Sequence, residues 1–222
     1  MIAPSAMVFV IDDDASMRKS LRRLLDAAHY ETEVFKSASE FLSRSSRAGP
    51  SCVIVDVRMP GLNGIDFQKT LIEHGREEQL VFITGHGNIP MCAQVMKAGA
   101  IDFLPKPFKP KQLLESVARA LGRSAEQRHR ASEKDQARSL IDRLTPREFE
   151  VMQLVATGML NKQVGAELSM AEKTVKTHRA HTMQKLGITS VAELMVILQK
   201  GEVPPLARPG TKVSLRYVNA TR

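Results

Sequence analysis

Four apolar runs of the 222-residue chain lead into side chains suited to phosphate and metal chemistry. Asp12, Asp13 and Asp14 follow the first run, Asp56 lies in the second, Thr84 ends the third and Lys106 follows the fourth. Clustered carboxylates repel one another unless a cation lies among them, and hard oxygen donors at close range suit Mg²⁺. A carboxylate beside such a metal is a competent phosphoryl acceptor that forms an acyl phosphate. A hydroxyl and an ammonium can then take the remaining phosphoryl oxygens. Taken singly, each acid could equally cap a helix or line a solvated rim, as Asp14 is expected to do for a helix starting near Ser16. No G-x-x-x-x-G-K-[ST] segment is present, so the phosphoryl group has to come from a partner and not from bound ATP.

Placing these residues together requires a particular frame. Met7–Ile11, Glu33–Phe35, Cys52–Val57, Leu80–Ile83 and Ile101–Leu104 read as strands, and the near-continuous apolar character of the first, third and fourth suggests cover on both faces. Amphipathic segments lie between them at Ser16–Ala28, Ser39–Arg47, Gly64–His74, Pro90–Ala98 and Pro110–Leu121. Ser37 followed by Glu40 gives the second of these a capping-box start. This alternation predicts a five-stranded parallel α/β sheet with right-handed crossovers. In such a sheet ligands bind beyond the carboxyl ends of the strands, which is where the acids, Thr84 and Lys106 fall. Met59-Pro60-Gly61 and Gly64 read as loop-shaping residues, with the glycines supplying positive φ.

Charge divides the chain. Of the net +8, residues 1–121 hold +1, residues 122–141 hold +2 and residues 142–222 hold +5. A polyanion partner would meet the C-terminal part. Cys52 and Cys92 lack metal-like spacing and read as reduced core thiols, which fits a reducing cytosol. The N-terminal MIAPSAMVFVIDDD has no basic region and reads as a strand entering a site, not a signal peptide. No apolar run approaches the roughly 18 residues that a membrane span needs. The expectation is a soluble, cytoplasmic protein with no membrane partner.

The segments VIDDDASMRKSL (10–21), VDVRMPGLNGIDF (55–67), ITGHGNIPM (83–91) and GAIDFLPKPF (99–108) resemble those of response-regulator receiver domains, the flavodoxin-like fold of two-component signalling. The resemblance covers residues 7–121, and Gly85–Met91 is similar to the FixJ-type branch. It implies that Asp12 and Asp13 hold Mg²⁺, that Asp56 is the phosphoacceptor, and that the Arg58 main-chain carbonyl completes the metal site. It further implies that Thr84 is the switch hydroxyl, Phe103 the switch aromatic and Lys106 the phosphoryl-binding lysine, with a cis bond to Pro107. Phe103 could otherwise be plain core. His86 suggests a catalytic role beside Thr84, though a surface-loop histidine accounts for it as well.

The stretch GRSAEQRHRASEKDQAR (122–138) has almost no large apolar residues, so residues 122–141 read as an exposed, partly helical linker. Beyond it the helical period returns. Thr145-Pro146-Arg147-Glu148 puts a capping Thr before Pro and a Glu at the third helical position, and Ser190 with Glu193 repeats the box. Four helices are predicted, at about 146–157, 161–168, 172–186 and 190–200. Leu160, Val164 and Leu168 share one face, and Val175, Met183 and Leu186 another, which makes 160–186 a helix-turn-helix. Lys173, Lys176, Thr177, Ala180 and Gln184 then lie on the exposed face, able to enter a major groove, although a solvated charged stripe has the same pattern.

Residues 144–194 resemble the LuxR/FixJ-type four-helix DNA-binding domain through LTPRE, NK, TVK-x-H and KLG at the family's spacing. That resemblance assigns base edges to Lys176, Thr177 and Ala180, and phosphates to Lys173, Thr174, His178 and Arg179. Ala171 stands where a polar cap is usual, so capping is expected to pass to Ser169; the small Ala180 departs from longer readers in some relatives. The domains expected are a receiver at 1–121, a charged linker at 122–141, a helix-turn-helix domain at 142–205, and a basic, mobile tail at 206–222. In the tail, Arg208, Lys212, Arg216 and Arg222 could add phosphate contacts.

The function implied is a transcription regulator phosphorylated on Asp56 by a sensor histidine kinase. It would form a homodimer on phosphorylation, bind double-stranded DNA and meet RNA polymerase, with no enzyme activity beyond its own aspartyl phosphorylation and dephosphorylation. Two other readings use the same residues. A metal-dependent phosphohydrolase would need a second acid or base and a substrate pocket. An interaction module blind to phosphate would leave Asp13, Asp56, Thr84 and Lys106 without a use.

Overall fold

The computed structural model describes residues 6–45, 47–85 and 88–206. His86, and with it any role beside Thr84, lies outside these residues, as do Arg208, Lys212, Arg216 and Arg222 of the basic tail. Two compact units divide the chain after His129.

The first unit is built on five parallel strands, β1 (Met7–Ile11), β2 (Glu31–Phe35), β3 (Ser51–Asp56), β4 (Gln79–Thr84) and β5 (Asp102–Pro105). They lie in the order β2-β1-β3-β4-β5. Alternation along each strand sends neighbouring side chains to opposite faces. Phe9, Ile11, Val53, Val55 and Phe82 therefore pack with Phe41 of α2 (Ala38–Ser43), Phe67 and Leu71 of α3 (Gly64–Glu73) and Val95 of α4 (Ile89–Lys97). Val8, Val10, Cys52, Ile54, Val81 and Ile83 pack on the other face with Leu21 and Leu25 of α1 (Ala15–Ala27) and with Leu113, Val117 and Ala120 of α5 (Pro110–Ile141). Both faces are covered, as the apolar runs required.

Several local expectations are altered. The segment from Ser39 stops being helical at Ser43, not Arg47, because Arg44 turns extended (ψ 150°). Its guanidinium then lies 3.9 Å from the Phe9 ring centre and 4.2 Å from that of Phe41, and pairs with Glu78 at 2.9 Å. Cation–π contact and a half-buried ion pair reward leaving the helix there. Strand β2 begins at Glu31, earlier than its apolar residues suggest, since an edge strand can pair its backbone while exposing polar side chains. Gly61 does have a positive φ of 78°, but Gly64 does not. Gly64 is needed for space: a Cβ there would sit 2.7 Å from the Asp56 carbonyl oxygen and 2.9 Å from Val57 Cα.

The stretch read as a linker is helical throughout, continuing α5 to Ile141. It buries small and polar groups that an apolar count overlooks. Ser124 is buried and accepts a hydrogen bond from the Ser51 amide at 3.0 Å, and Gln79 Nε2 donates to Gln127 Oε1 at 2.7 Å. Past the division, Ala137 and Ile141 are buried with the second unit, and Arg138 Nε donates to the Gly201 carbonyl at 3.0 Å.

The second unit completes itself with α6 (Pro146–Ala156), α7 (Asn161–Leu168), α8 (Glu172–Leu186) and α9 (Val191–Lys200), around Val151, Met152, Val155, Val164, Val175, Leu186, Leu194 and Leu198. The Thr145–Glu148 box is formed in both directions, and Ser190 caps α9 by accepting from the Glu193 amide. Leu160 is 69% exposed and not on the buried face, because it precedes the helix at the N-cap position. Ser169 ends α7 in the left-handed region (φ 54°), so it cannot cap α8, and Ala171 supplies no side-chain bond. The tight turn between the two helices depends on Gly165, where a Cβ would lie 2.7 Å from the Met170 carbonyl oxygen.

The two nearest atoms that a methyl group at Gly64 would displace are backbone, with the Phe82 ring next at 3.2 Å. Gly64→Ala is expected to lower the stability of the first unit by about 1–3 kcal/mol. Urea unfolding followed through amides of the first unit measures this, and an unchanged midpoint would contradict the close approach.

Candidate functional sites

The register of the sheet assembles the acidic site. Ile11 pairs with Val55 and Asp56 with Ile83, so Asp12 leaves β1 beside the end of β3. Asp12 and Asp56 are buried and Asp13 is exposed; each offers a carboxylate oxygen, and the three atoms lie within 4.8 Å of one another. Thr84 is fully buried at the end of β4, where it pairs with Pro105 of β5. The Lys106 amide donates to the Thr84 carbonyl at 2.7 Å, and the Lys106–Pro107 peptide is cis. Lys106 Nζ donates to Asp56 Oδ2 at 2.6 Å and to Asp12 Oδ2 at 2.9 Å. Phe103, on β5, is half-buried against the Phe9–Phe67 side of the core.

Electrostatics sharpen this picture. Burial raises the Asp12 carboxyl above its usual range, despite hydrogen bonds from Lys106 and the Asp14 amide that act the other way. Burial alone would lower Lys106, but its bonds to Asp56 and Asp12 outweigh that and hold it above its ordinary value. Three carboxylates thus face one ammonium. A compact hard cation would relieve the excess negative charge, and the donor set fits Mg²⁺. The Arg58 carbonyl stands two residues past Asp56, and the Arg58 amide donates to Asp56 Oδ1 at 3.0 Å.

One supporting residue escaped the sequence reading. Arg18 Nη1 donates to the carbonyls of Asp12 at 2.7 Å and Asp13 at 2.9 Å, pinning the acid-bearing loop. Its position one turn into the helix capped by Asp14 was the available signal. A groove of about 570 Å³ adjoins the acidic site, lined by Arg58, Met59, Asn63, Lys69, Met91 and Gln94 among others.

In the second unit, Lys173, Thr174, Lys176, Thr177, Ala180 and Gln184 are exposed on α8, while His178 and Arg179 are half-buried. Val175, Thr182 and Leu186 form the buried side. Arg179 Nη1 donates to Asn161 Oδ1 at 3.2 Å, which orients it from the start of α7. Glu148, the box residue of α6, also accepts from Lys185 Nζ at 2.6 Å, and Thr182 Oγ1 donates to the Glu148 carbonyl at 3.4 Å. Lys185 first, and the Thr145 amide next, hold the Glu148 carboxyl down at about 2. With no side-chain cap on α8, Glu172 in its first turn is the group that complements the helix dipole there.

A doubly wound parallel sheet with carboxylates, a threonine and a lysine at its carboxyl edge defines the receiver class. Residues 8–118 match the response regulator receiver domain family and residues 142–198 match bacterial regulatory proteins of the luxR family. The chain belongs to the two-component response regulators that carry a LuxR-type DNA-binding domain. It is 46% identical over 190 residues to nodulation protein W of Bradyrhizobium diazoefficiens, covering 86% of this chain and 84% of that one. It is 37% identical over 196 residues to response regulator protein TodT of Pseudomonas putida, covering 88% and 86%. Among solved structures, response regulator StyR matches with a TM-score of 0.81 and 45% identity over 89% of this chain and 100% of that one. Full-length FixJ from B. japonicum matches with a TM-score of 0.54 and 33% identity, over 89% and 98%. No helix among the described residues is long and apolar enough to cross a membrane.

Glu148 makes the second unit sensitive to acid. Its carboxyl is depressed in the fold, so the unfolded chain takes up the proton first. The stabilisation is complete above about pH 5 and is lost as pH falls toward 2. Glu148→Gln should cost the unit about 1–2 kcal/mol at pH 7, a difference that shrinks steadily on acidification. Hydrogen exchange of α6 and α8 amides against pH tests this, and a pH-independent difference would refute it.

Proposed function

We propose that a sensor histidine kinase phosphorylates this response regulator on Asp56, and that phosphorylation promotes dimerisation and sequence-specific binding to double-stranded DNA. The observation that carries this reading is the Lys106 ammonium bonded at once to Asp56 and Asp12. An acceptor carboxylate whose oxygen already touches a fixed cation stands where the charge of an arriving phosphoryl group would be stabilised.

An Asp56 carboxylate oxygen attacks the phosphorus while the bond to the kinase imidazole nitrogen breaks. The electron pair stays on that nitrogen, which is protonated from solvent. Asp12, Asp13, Asp56 and the Arg58 carbonyl would hold Mg²⁺, whose charge offsets that of the phosphoryl oxygens. Lys106 takes one phosphoryl oxygen and the Thr84 hydroxyl takes another. Movement of Thr84 leaves room for Phe103 to turn inward, which alters the surface around α4 and β5. A switch from mostly off to mostly on needs about 5 kcal/mol of differential interaction. The chemistry ends with hydrolysis of the chain's own acyl phosphate; no external substrate is turned over.

Two α8 helices in a dimer would reach adjacent half-sites. Lys176, Thr177 and Ala180 face base edges, and Lys173, Thr174, His178 and Arg179 face phosphates, with Asn161 steadying Arg179. A cytoplasmic regulator bound in this way would act on transcription through RNA polymerase.

Asp56→Asn should abolish labelling by radioactive acetyl phosphate or by the kinase, together with any gain in DNA affinity. A variant still labelled would overturn the acceptor assignment. Equal DNA affinity and dimerisation with and without a phosphoryl mimic would instead favour a module that never senses phosphate.

A further inference from the structure

We infer that Glu172 is a specificity-determining residue whose carboxylate accepts a hydrogen bond from a cytosine N4 amine, next to the guanine read by Lys176. The inference rests on the reading of α8 as the recognition helix.

Glu172 is the first residue of α8 and its sole acid, and it is exposed on a helix whose other exposed residues include Lys173, Thr174, Lys176 and Thr177. In a helix-turn-helix the N-terminal residues of the recognition helix contact base edges. A carboxylate brought there between two rows of phosphates is repelled by them and loses water. Lys176 offsets part of this, and the donors that DNA itself offers in the major groove are the amines of cytosine N4 and adenine N6. Adenine presents the N7 acceptor beside its amine, which opposes a second oxygen. The cytosine amine has an acceptor on one side only, the paired guanine O6, whereas the adenine amine lies between N7 and the paired thymine O4, so the acid selects cytosine.

Lys176 ties the pair together. Its Nζ lies 3.0 Å from Glu172 Oε1 across one helical turn. An ammonium has three donors, so one bond to Glu172 leaves two for guanine O6 and N7. Four residues rise about 6 Å along a helix, against about 3.4 Å per base-pair step. The cytosine and the guanine therefore fall within about two steps of one another. A surface ion pair that merely solvates α8 would have no such preference. Removing the acid would then tighten binding to every sequence alike.

The test is selection from a random duplex library by the full-length chain, for wild type, Glu172→Gln, Glu172→Ala and Lys176→Ala, with thermal unfolding to check that each variant is folded. Wild type should enrich a cytosine within two steps of the guanine whose preference Lys176→Ala removes. Glu172→Gln and Glu172→Ala should each lower the cytosine preference at least about fivefold while leaving the other positions intact. An unchanged consensus with uniformly tighter binding would overturn the role of Glu172 alone. No enriched sequence with wild type would overturn the reading of α8, and this inference with it.

Discussion

Like charges gathered at one edge of a sheet are the constraint on which the receiver unit turns. Asp12, Asp13 and Asp56 are delivered there by strand register, and burial makes the charge on Asp12 costly. Lys106 reaches both buried acids only because β5 lies at the far side of β4, with its end held by the bond to the Thr84 carbonyl. Arg18 holds the loop on one side, and the bare backbone of Gly64 lets α3 begin against β3 on the other. Each of these features keeps repelling groups close when separation would be easier. In a site assembled under such tension a change in charge has a large effect, a property that the proposed phosphorylation would use.

The helical unit uses the same physics in a quieter form. Glu148 closes a capping box and also receives Lys185, so one carboxylate joins the start of α6 to the end of α8. Here the acid is depressed by its partners, with burial a smaller opposing effect. The two units thus place carboxylates in opposite regimes. One set carries excess negative charge that a cation would relieve, and the other is already satisfied and structural.

Much of this was legible before any coordinates. Hydrophobic periodicity located all five strands and nine helical segments, and strand-end logic grouped Asp12, Asp13, Asp56, Thr84 and Lys106 correctly on one edge. The lapses have two causes. Arg44 leaves its helix for the distant Phe9 ring and for Glu78, and Ser124 and Ala137 are buried though one is polar and the other small. Leu160 is exposed because it stands just before its helix, where periodicity no longer applies. Ser169 was expected to cap but takes a left-handed turn set by the close packing of Gly165 on Met170. Tertiary partners decided Arg44, Ser124 and Ala137, and local pattern does not contain them; Leu160 and Ser169 follow from where α7 begins and ends.

That close packing has another side. Val175, Thr182 and Leu186 anchor α8, and Gly165 sets the turn that leads into it. The outward residues Lys173, Lys176, Thr177 and Ala180 contribute little to holding the unit together. Mount and outer face are thus separable. Under the proposed role of α8, new side chains on its outer face would redirect the protein to other operators without refolding it, whereas a single added methyl at Gly165 would disturb the mount itself. Regulators for unrelated promoters could arise from this framework by a handful of exchanges.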